Sequence, residues 1–334
     1  MPKYLSLLLV IILGAFLSQP ILAQKQTSPI AGKVICLDAG HGGTAATDSY
    51  RAGPMGEREE WINLRVALLL QKMLEKKGAT VVMTRTADDN IPLADRARLA
   101  IDNKADVFLS VHHNATADPE VNFPIIYFHG NATENAASIA LGIDVAQALA
   151  RHLYKGNTPV SLASDHTIFA TAGTKVLRDT YGIPGIIAEA SFFTNAAEEK
   201  RLKKKKYNRR EAQAYVEALE VFFSKPMPKV APKNSAVSFP PFRAFQEAER
   251  MSEIAKSWHR DYQEGLELMS QPDTASWQQA YELLTRSARS FPDSYVAAQC
   301  HQNRAILLEK LGKTEEALTE AIRAKEHYVP VTIK

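Results

Sequence analysis

The stretch Val34-Ile35-Cys36-Leu37-Asp38-Ala39-Gly40-His41-Gly42-Gly43 decides how this chain is read. It begins as a short apolar run, the pattern of a buried strand, and closes on three glycines around one histidine. Without a Cβ, glycine lets the backbone take positive φ and lets a ligand or ion come close to it. A histidine at the carboxyl end of such a strand stands where open α/β sheets place their chemistry. Alone, a histidine among glycines is more commonly a turn residue than a ligand, so the rest of the chain has to carry the case.

Outward from this point, strand-like runs alternate with helical patterns. Residues 60–76 carry Ile62, Val66, Leu69, Leu70 and Met73 at helical spacing, and residues 79–83 are apolar and β-branched. A helix is expected over 93–101, strands over 107–111 and 125–128, a helix over 136–153, a strand over 185–189 and a helix over 210–223. The alternation predicts an α/β fold, a mostly parallel open sheet flanked by helices.

Polar residues interrupt this pattern at particular places. His112 and His113 follow the run ending in Val111, and Glu189 ends the run beginning at Gly185. His41, His112 and Glu189 are therefore expected at the carboxyl ends of three strands, which share one edge in a parallel sheet. Glu59 and Asn63, at i and i+4 near the start of the first helix, share a face. Two histidines and one glutamate with an open fourth position suit a catalytic zinc site. A separate carboxylate, Glu189, would serve proton transfer, because an unpaired charge at the end of an apolar strand is costly to bury without a role. Successive strand side chains point to opposite faces, so only one of His112 and His113 can aim at the metal from a regular strand.

Four ordered segments then carry a family resemblance. Asp38-Ala39-Gly40-His41-Gly42-Gly43, Gly56 to Leu64 with Glu59 and Asn63, Ser110-Val111-His112-His113-Asn114-Ala115, and Ala188 to Asn195 with Glu189 resemble the zinc-dependent N-acetylmuramoyl-L-alanine amidases of bacterial cell walls. Thr84-Arg85 and the helix containing Arg96 also look like that family, whereas Ser191 stands where it usually has glycine. The resemblance covers residues 33–223. It implies His41, Glu59 and His112 as ligands of one zinc ion per catalytic domain and Glu189 as the catalytic carboxylate. It further implies hydrolysis of the amide between muramic acid and L-alanine, with peptidoglycan as partner. His113 and Asn114 are candidate substrate contacts. A wall-peptide zinc peptidase, or an inactive wall-binding scaffold, are the other readings. With residues 136–153 read as part of the core, no further helix between Asn114 and Glu189 is expected to block the site.

The 334 residues suggest two domains, and 46% hydrophobic with 23% charged content is that of an ordinary globular protein. A net charge of +3 does not mark a nucleic-acid binder. Lys3, the apolar run over 5–17 and small residues before a cut after Ala23 read as a secretory signal, predicting an exported, periplasmic or envelope protein with no stable membrane span once cleaved. Cys36 and Cys300 are expected as buried apolar residues rather than a disulfide. The catalytic domain is placed at 24–223. Five prolines over 224–241 read as a semi-rigid linker. Residues 242–334 are helical in pattern, and Lys310 to Ala317 resemble half a tetratricopeptide repeat, predicting an all-α helical-repeat domain that either binds a protein or peptide partner or caps and stabilises the enzyme. Asp165 and His166 are expected in a solvated loop.

Overall fold

The structure is a computed structural model and describes residues 27–48, 51–233 and 237–333. The signal-like segment at 1–23 lies outside them, and no helix among the described residues is long and apolar enough to cross a membrane.

Six strands form one sheet: β1 (Val34–Ala39), β2 (Thr80–Met83), β3 (Val107–Asn114), β4 (Ile125–Phe128), β5 (Ser161–Ser164) and β6 (Gly185–Phe192), in the order β2-β1-β3-β6-β4-β5. Every pairing is parallel except β4 with β6, which is antiparallel. The helices before the proline-rich stretch are α1 (Glu59–Lys76), α2 (Leu93–Asp102), α3 (Ala136–Leu153), α4 (Lys175–Asp179), α5 (Ala196–Leu202) and α6 (Lys205–Phe223). Then come α7 (Glu247–Arg250), α8 (Trp258–Met269), α9 (Thr274–Ser290), α10 (Ala297–Lys310) and α11 (Thr314–Glu326). The mostly parallel α/β sheet with a carboxyl-terminal helical region is the architecture expected above.

Strand alternation divides the core into two layers. Leu37, Leu109, Val111, Ile186 and Ala188 pack with Ile62, Val66 and Leu70 of α1, Leu141 and Val145 of α3, and Tyr215 and Leu219 of α6. On the other face, Cys36, Phe108, Ile125, Tyr127 and Ile187 form a cluster with Val176 and Leu177 of α4 and with Trp258, Ala280, Leu284, Phe291 and Cys300 of the helical region. The late helices thus cover apolar sheet surface, and that burial is what holds them there. Tyr127 donates its hydroxyl to Asp293, which Arg250 also contacts, and Tyr328 donates to the Pro292 carbonyl at 2.7 Å. Beyond α11 the chain runs along edge strand β5, with Val329 N donating to Leu162 O at 2.9 Å. This blunts an edge that would otherwise offer unpaired backbone groups.

Part of the proline-rich stretch lies on α10 and α11. Arg323 donates to the Pro240 carbonyl at 2.8 Å, and the guanidinium groups of Arg304 and Arg323 sit 4.9 and 5.4 Å from the Phe242 ring. This face of the helical region therefore carries the chain's own residues. Both cysteines are buried and unpaired. Asp165 is fully buried rather than in a solvated loop, because its carboxylate is enclosed by His129 and Thr174.

Candidate metal centre

β1 ends at Ala39, and the chain then turns through His41 in the left-handed region at φ 58°, an uncommon conformation for a residue with a Cβ. Two buried arginines hold this turn. Arg96 donates to the carbonyls of Ala39 at 2.8 Å and His41 at 2.7 Å, and to Asp38 Oδ1 at 2.8 Å. Arg85 donates to the carbonyls of Ala39, Gly40 and Glu60 at 2.7, 3.0 and 2.7 Å. Burial alone would raise the Asp38 carboxyl, but the Arg96 charge and the Ser110 hydroxyl hold it below the usual range. Carbonyls that a strand or helix would otherwise have satisfied are here satisfied by fixed cations.

The turn presents His41 to the first turn of α1 and the end of β3. His41 Nε2 lies 3.3 Å from Glu59 Oε2, and His112 Nδ1 lies 3.0 Å from Glu59 Oε1. The two imidazoles meet edge to face, with centroids 4.7 Å apart. Potential ligating atoms of His41, Glu59 and His112 all lie within 4.8 Å of one another, one of two such groups among the described residues. Side-chain exposure is 26% for His41, 14% for His112, 13% for Glu189 and only 4% for Glu59, so the cluster opens to solvent on the His41 side.

Electrostatics follow from this packing. Burial would raise Glu59, but His41 and His112 hold its carboxyl well below the ordinary range. Burial holds His41 below its ordinary value, while the hydrogen bond to Glu59 overrides burial and raises His112. Glu189 pairs across β3–β6 with His112, its Oε1 4.0 Å from His112 Nδ1, while its Oε2 is buried and makes no hydrogen bond. Burial pushes its carboxyl up to about 7, with the nearby His112 opposing.

His113 faces the opposite side of the sheet, as strand alternation dictates. It is fully buried, with Nδ1 2.8 Å from Asn63 Oδ1 and Nε2 3.1 Å from Glu211 Oε2. Burial would lower it, and the Glu211 charge raises it. Asn63 links both sides, donating to the Gly40 carbonyl and to Glu59 Oε1 at 3.2 Å each. Asn114 is half-buried and accepts from the Ala115 backbone at 2.8 Å.

Arg51 was not anticipated. Its Nη1 donates to His41 Nε2 at 3.2 Å and to Glu59 Oε2 at 3.4 Å, and its Nε lies 2.7 Å from Asp48. A cation thus rests against two of the three metal-type donors. In sequence it is one arginine in an irregular loop, with no periodicity to point at it.

Known proteins resemble this chain in sequence and in fold. Residues 35–221 match the family model described as N-acetylmuramoyl-L-alanine amidase. A protein of Staphylococcus aureus called a probable cell wall amidase, LytH, is 30% identical over 201 residues, 60% of this chain and 62% of that protein. The chain therefore spans less than two thirds of the length of that relative. Among solved structures, an N-acetylmuramoyl-L-alanine amidase of Clostridium difficile 630 superposes with a TM-score of 0.50 at 26% identity, covering 58% of this chain and 98% of that one. The amidase AmiC2 of Nostoc punctiforme shares the fold, with a TM-score of 0.50 at 24% identity over 58% of this chain and 99% of its own. Since the family match takes in more than half of its residues, this chain belongs to the N-acetylmuramoyl-L-alanine amidase family.

Proposed function

We propose that the chain hydrolyses the amide between N-acetylmuramic acid and the L-alanine of the peptidoglycan stem peptide, using zinc held by His41, Glu59 and His112 with Glu189 as the catalytic carboxylate. The observation that carries this reading is the buried Glu189 Oε2, which has no hydrogen-bond partner and belongs to a carboxylate 4.0 Å from the His112 ring. Family membership and the relative called a probable cell wall amidase support the substrate class.

The donor set fits zinc. Ligands about 2.0–2.1 Å from a tetrahedral zinc stand roughly 3.3 Å from each other. Each histidine nitrogen lies near that distance from one Glu59 oxygen, His41 Nε2 at 3.3 Å from Oε2 and His112 Nδ1 at 3.0 Å from Oε1, and the three residues can each offer an atom within 4.8 Å of the others. When bound, zinc supplies activation of water near neutral pH and charge stabilisation at the amide carbonyl. The unpartnered Oε2 of Glu189, beside the three donors, supports its role in taking a proton from the attacking water and returning it to the departing amine. The Arg85 and Arg96 contacts keep the His41 turn in place, and the Asn63 bond to Glu59 fixes that carboxylate's orientation.

We assign residues 24–223 to the catalytic unit, 224–241 to a linker and 242–334 to a helical, tetratricopeptide-like unit. Action on peptidoglycan places the protein in the cell envelope, in keeping with the signal-like residues 1–23. The late helices act as a cover for the sheet, supported by the shared apolar cluster around Phe291 and Tyr127.

Digestion of purified peptidoglycan, with and without a zinc chelator and beside Glu189→Gln, tests the proposal by mass analysis of the fragments. New L-alanine amino termini that depend on zinc and on Glu189 are expected. Cleavage inside the stem peptide would make the protein a wall peptidase instead, and wall binding without any release would make it a scaffold.

A further inference from the structure

β4 and β5 are parallel to each other but antiparallel to β6, with Ile125 opposite Glu189 and Phe128 opposite Ser164. Their carboxyl ends therefore lie at the edge of the sheet away from His112 and Glu189. Four residues beyond Ile125, His129 sits about 13 Å further along the strand direction, at roughly 3.3 Å per residue. The residues that leave β4 and β5 there are His129 and Asp165, followed by His166.

These three form the second group of metal-type donors among the described residues, with potential ligating atoms all within 4.8 Å of one another. His129 and Asp165 are buried, and the His166 side chain is 24% exposed, so the cluster has an inner wall and an outer opening. The Asp165 carboxylate is asymmetric. Oδ2 accepts from Thr174 N at 2.7 Å, Thr174 Oγ1 at 2.8 Å and His129 Nδ1 at 2.9 Å. Oδ1 is 3.1 Å from His129 Nδ1 and 4.0 Å from His166 Nε2. His129 Nδ1 stands 2.9 and 3.1 Å from the Asp165 oxygens, near the roughly 3.3 Å that separates neighbouring ligands of a tetrahedral zinc, so Nδ1 and the carboxylate can face one ion. The loop after β5 is pressed onto the cluster at Gly173, where a Cβ would stand 2.6 Å from both Asp165 oxygens and from His129 Nδ1.

We propose that His129, Asp165 and His166 form a second metal site, for a divalent transition-metal ion such as zinc, at the sheet edge opposite the amidase centre. Two imidazoles and one carboxylate are a donor set that zinc accepts, and the site needs nothing from the first centre. Its position gives it a structural use. The His327 ring is 5.8 Å from that of His166, and Ser164 N donates to the His327 carbonyl at 2.8 Å, so the ion would sit where the end of the helical region joins the sheet.

The test uses the full chain stripped of metal, dialysed against Zn²⁺ and analysed for bound metal per chain. Wild type is expected to hold two ions, His166→Ala one, the His41→Ala/Glu59→Gln variant one, and the variant combining all three substitutions none. In the His41→Ala/Glu59→Gln background, Zn²⁺ is expected to raise the Tm, and adding His166→Ala is expected to remove that rise. His166 is chosen over the buried Asp165 because its part-exposed ring is less needed for folding, and His166→Asn repeats the test with a polar side chain. Two ions retained in both His166 variants, or a single wild-type ion lost in His41→Ala/Glu59→Gln, would overturn the site. A single wild-type ion that survives His41→Ala/Glu59→Gln but not His166→Ala would support it while refuting zinc at the amidase centre.

Discussion

The His112 imidazole lies across Gly40 so closely that a Cβ at position 40 would stand 2.2 Å from Nε2 and 2.3 Å from Cε1. A methyl group cannot share that space, so the glycine at the end of β1 sets the position of a proposed ligand on β3.

Gly40→Ala is therefore expected to push His112 out of line with Glu59 while leaving the sheet intact. Zinc affinity should fall by at least about tenfold, the lower end of what a misplaced supporting group costs a metal site. Competition with a chelator measures the affinity, and circular dichroism checks the fold. Unchanged affinity would mean that His112 is not a ligand.

Glu189→Gln keeps size and burial but removes the proton acceptor. Peptidoglycan hydrolysis should drop by about 10²–10⁴, the usual contribution of a general acid–base group, with the zinc content at the amidase centre unchanged. A variant that loses zinc instead would move Glu189 from proton transfer to metal binding.

Arg51 donates to His41 Nε2 and Glu59 Oε2, lone pairs that a metal would need. Arg51→Met should tighten zinc binding by up to about tenfold, on the scale of one charge-assisted hydrogen bond discounted for partial exposure. Weaker binding in Arg51→Met would show that the guanidinium supports the loaded site rather than competing with the ion.

Stability in acid should depend on Glu320. Burial would raise its carboxyl, but His301 Nδ1 at 2.6 Å and the charges of Arg304 and Arg323 hold it down at about 2. A carboxyl lowered on folding stabilises the fold fully above its unfolded value of about 4.3, and the contribution fades as pH falls toward 2. The amount at stake is on the order of 3 kcal/mol. Glu320→Gln should lower the Tm at pH 7 and flatten its fall between pH 5 and 2; a Tm profile parallel to wild type would refute this role.

Much of the sheet was legible because its central strands are buried on both faces and read as unbroken apolar runs. The helix over 136–153 matches α3, whose amino terminus Asn135 caps by accepting from Ser138 N at 3.3 Å. β5 escaped notice because its four residues begin and end in serine, and its burial comes from segments distant in the chain: β4, α3, the start of α10 and the residues after α11. Nor did any local pattern reveal that β4 runs antiparallel to β6, since a strand's direction depends on its neighbours.

By itself the sequence determined which residue types stand at strand ends, that Glu59 and Asn63 share a helix face, and that His112 and His113 face opposite ways. Those follow from local periodicity, which the backbone imposes on any chain. Only the tertiary structure decided that Arg51 reaches His41, that Asp165 is buried beside His129, and that the late helices cover Tyr127 and Ile187. Each of these depends on segments distant in the chain, or in irregular loops, meeting in space. Apolar burial and the pairing of buried polar groups set such meetings, and neither leaves a repeat in the sequence to read.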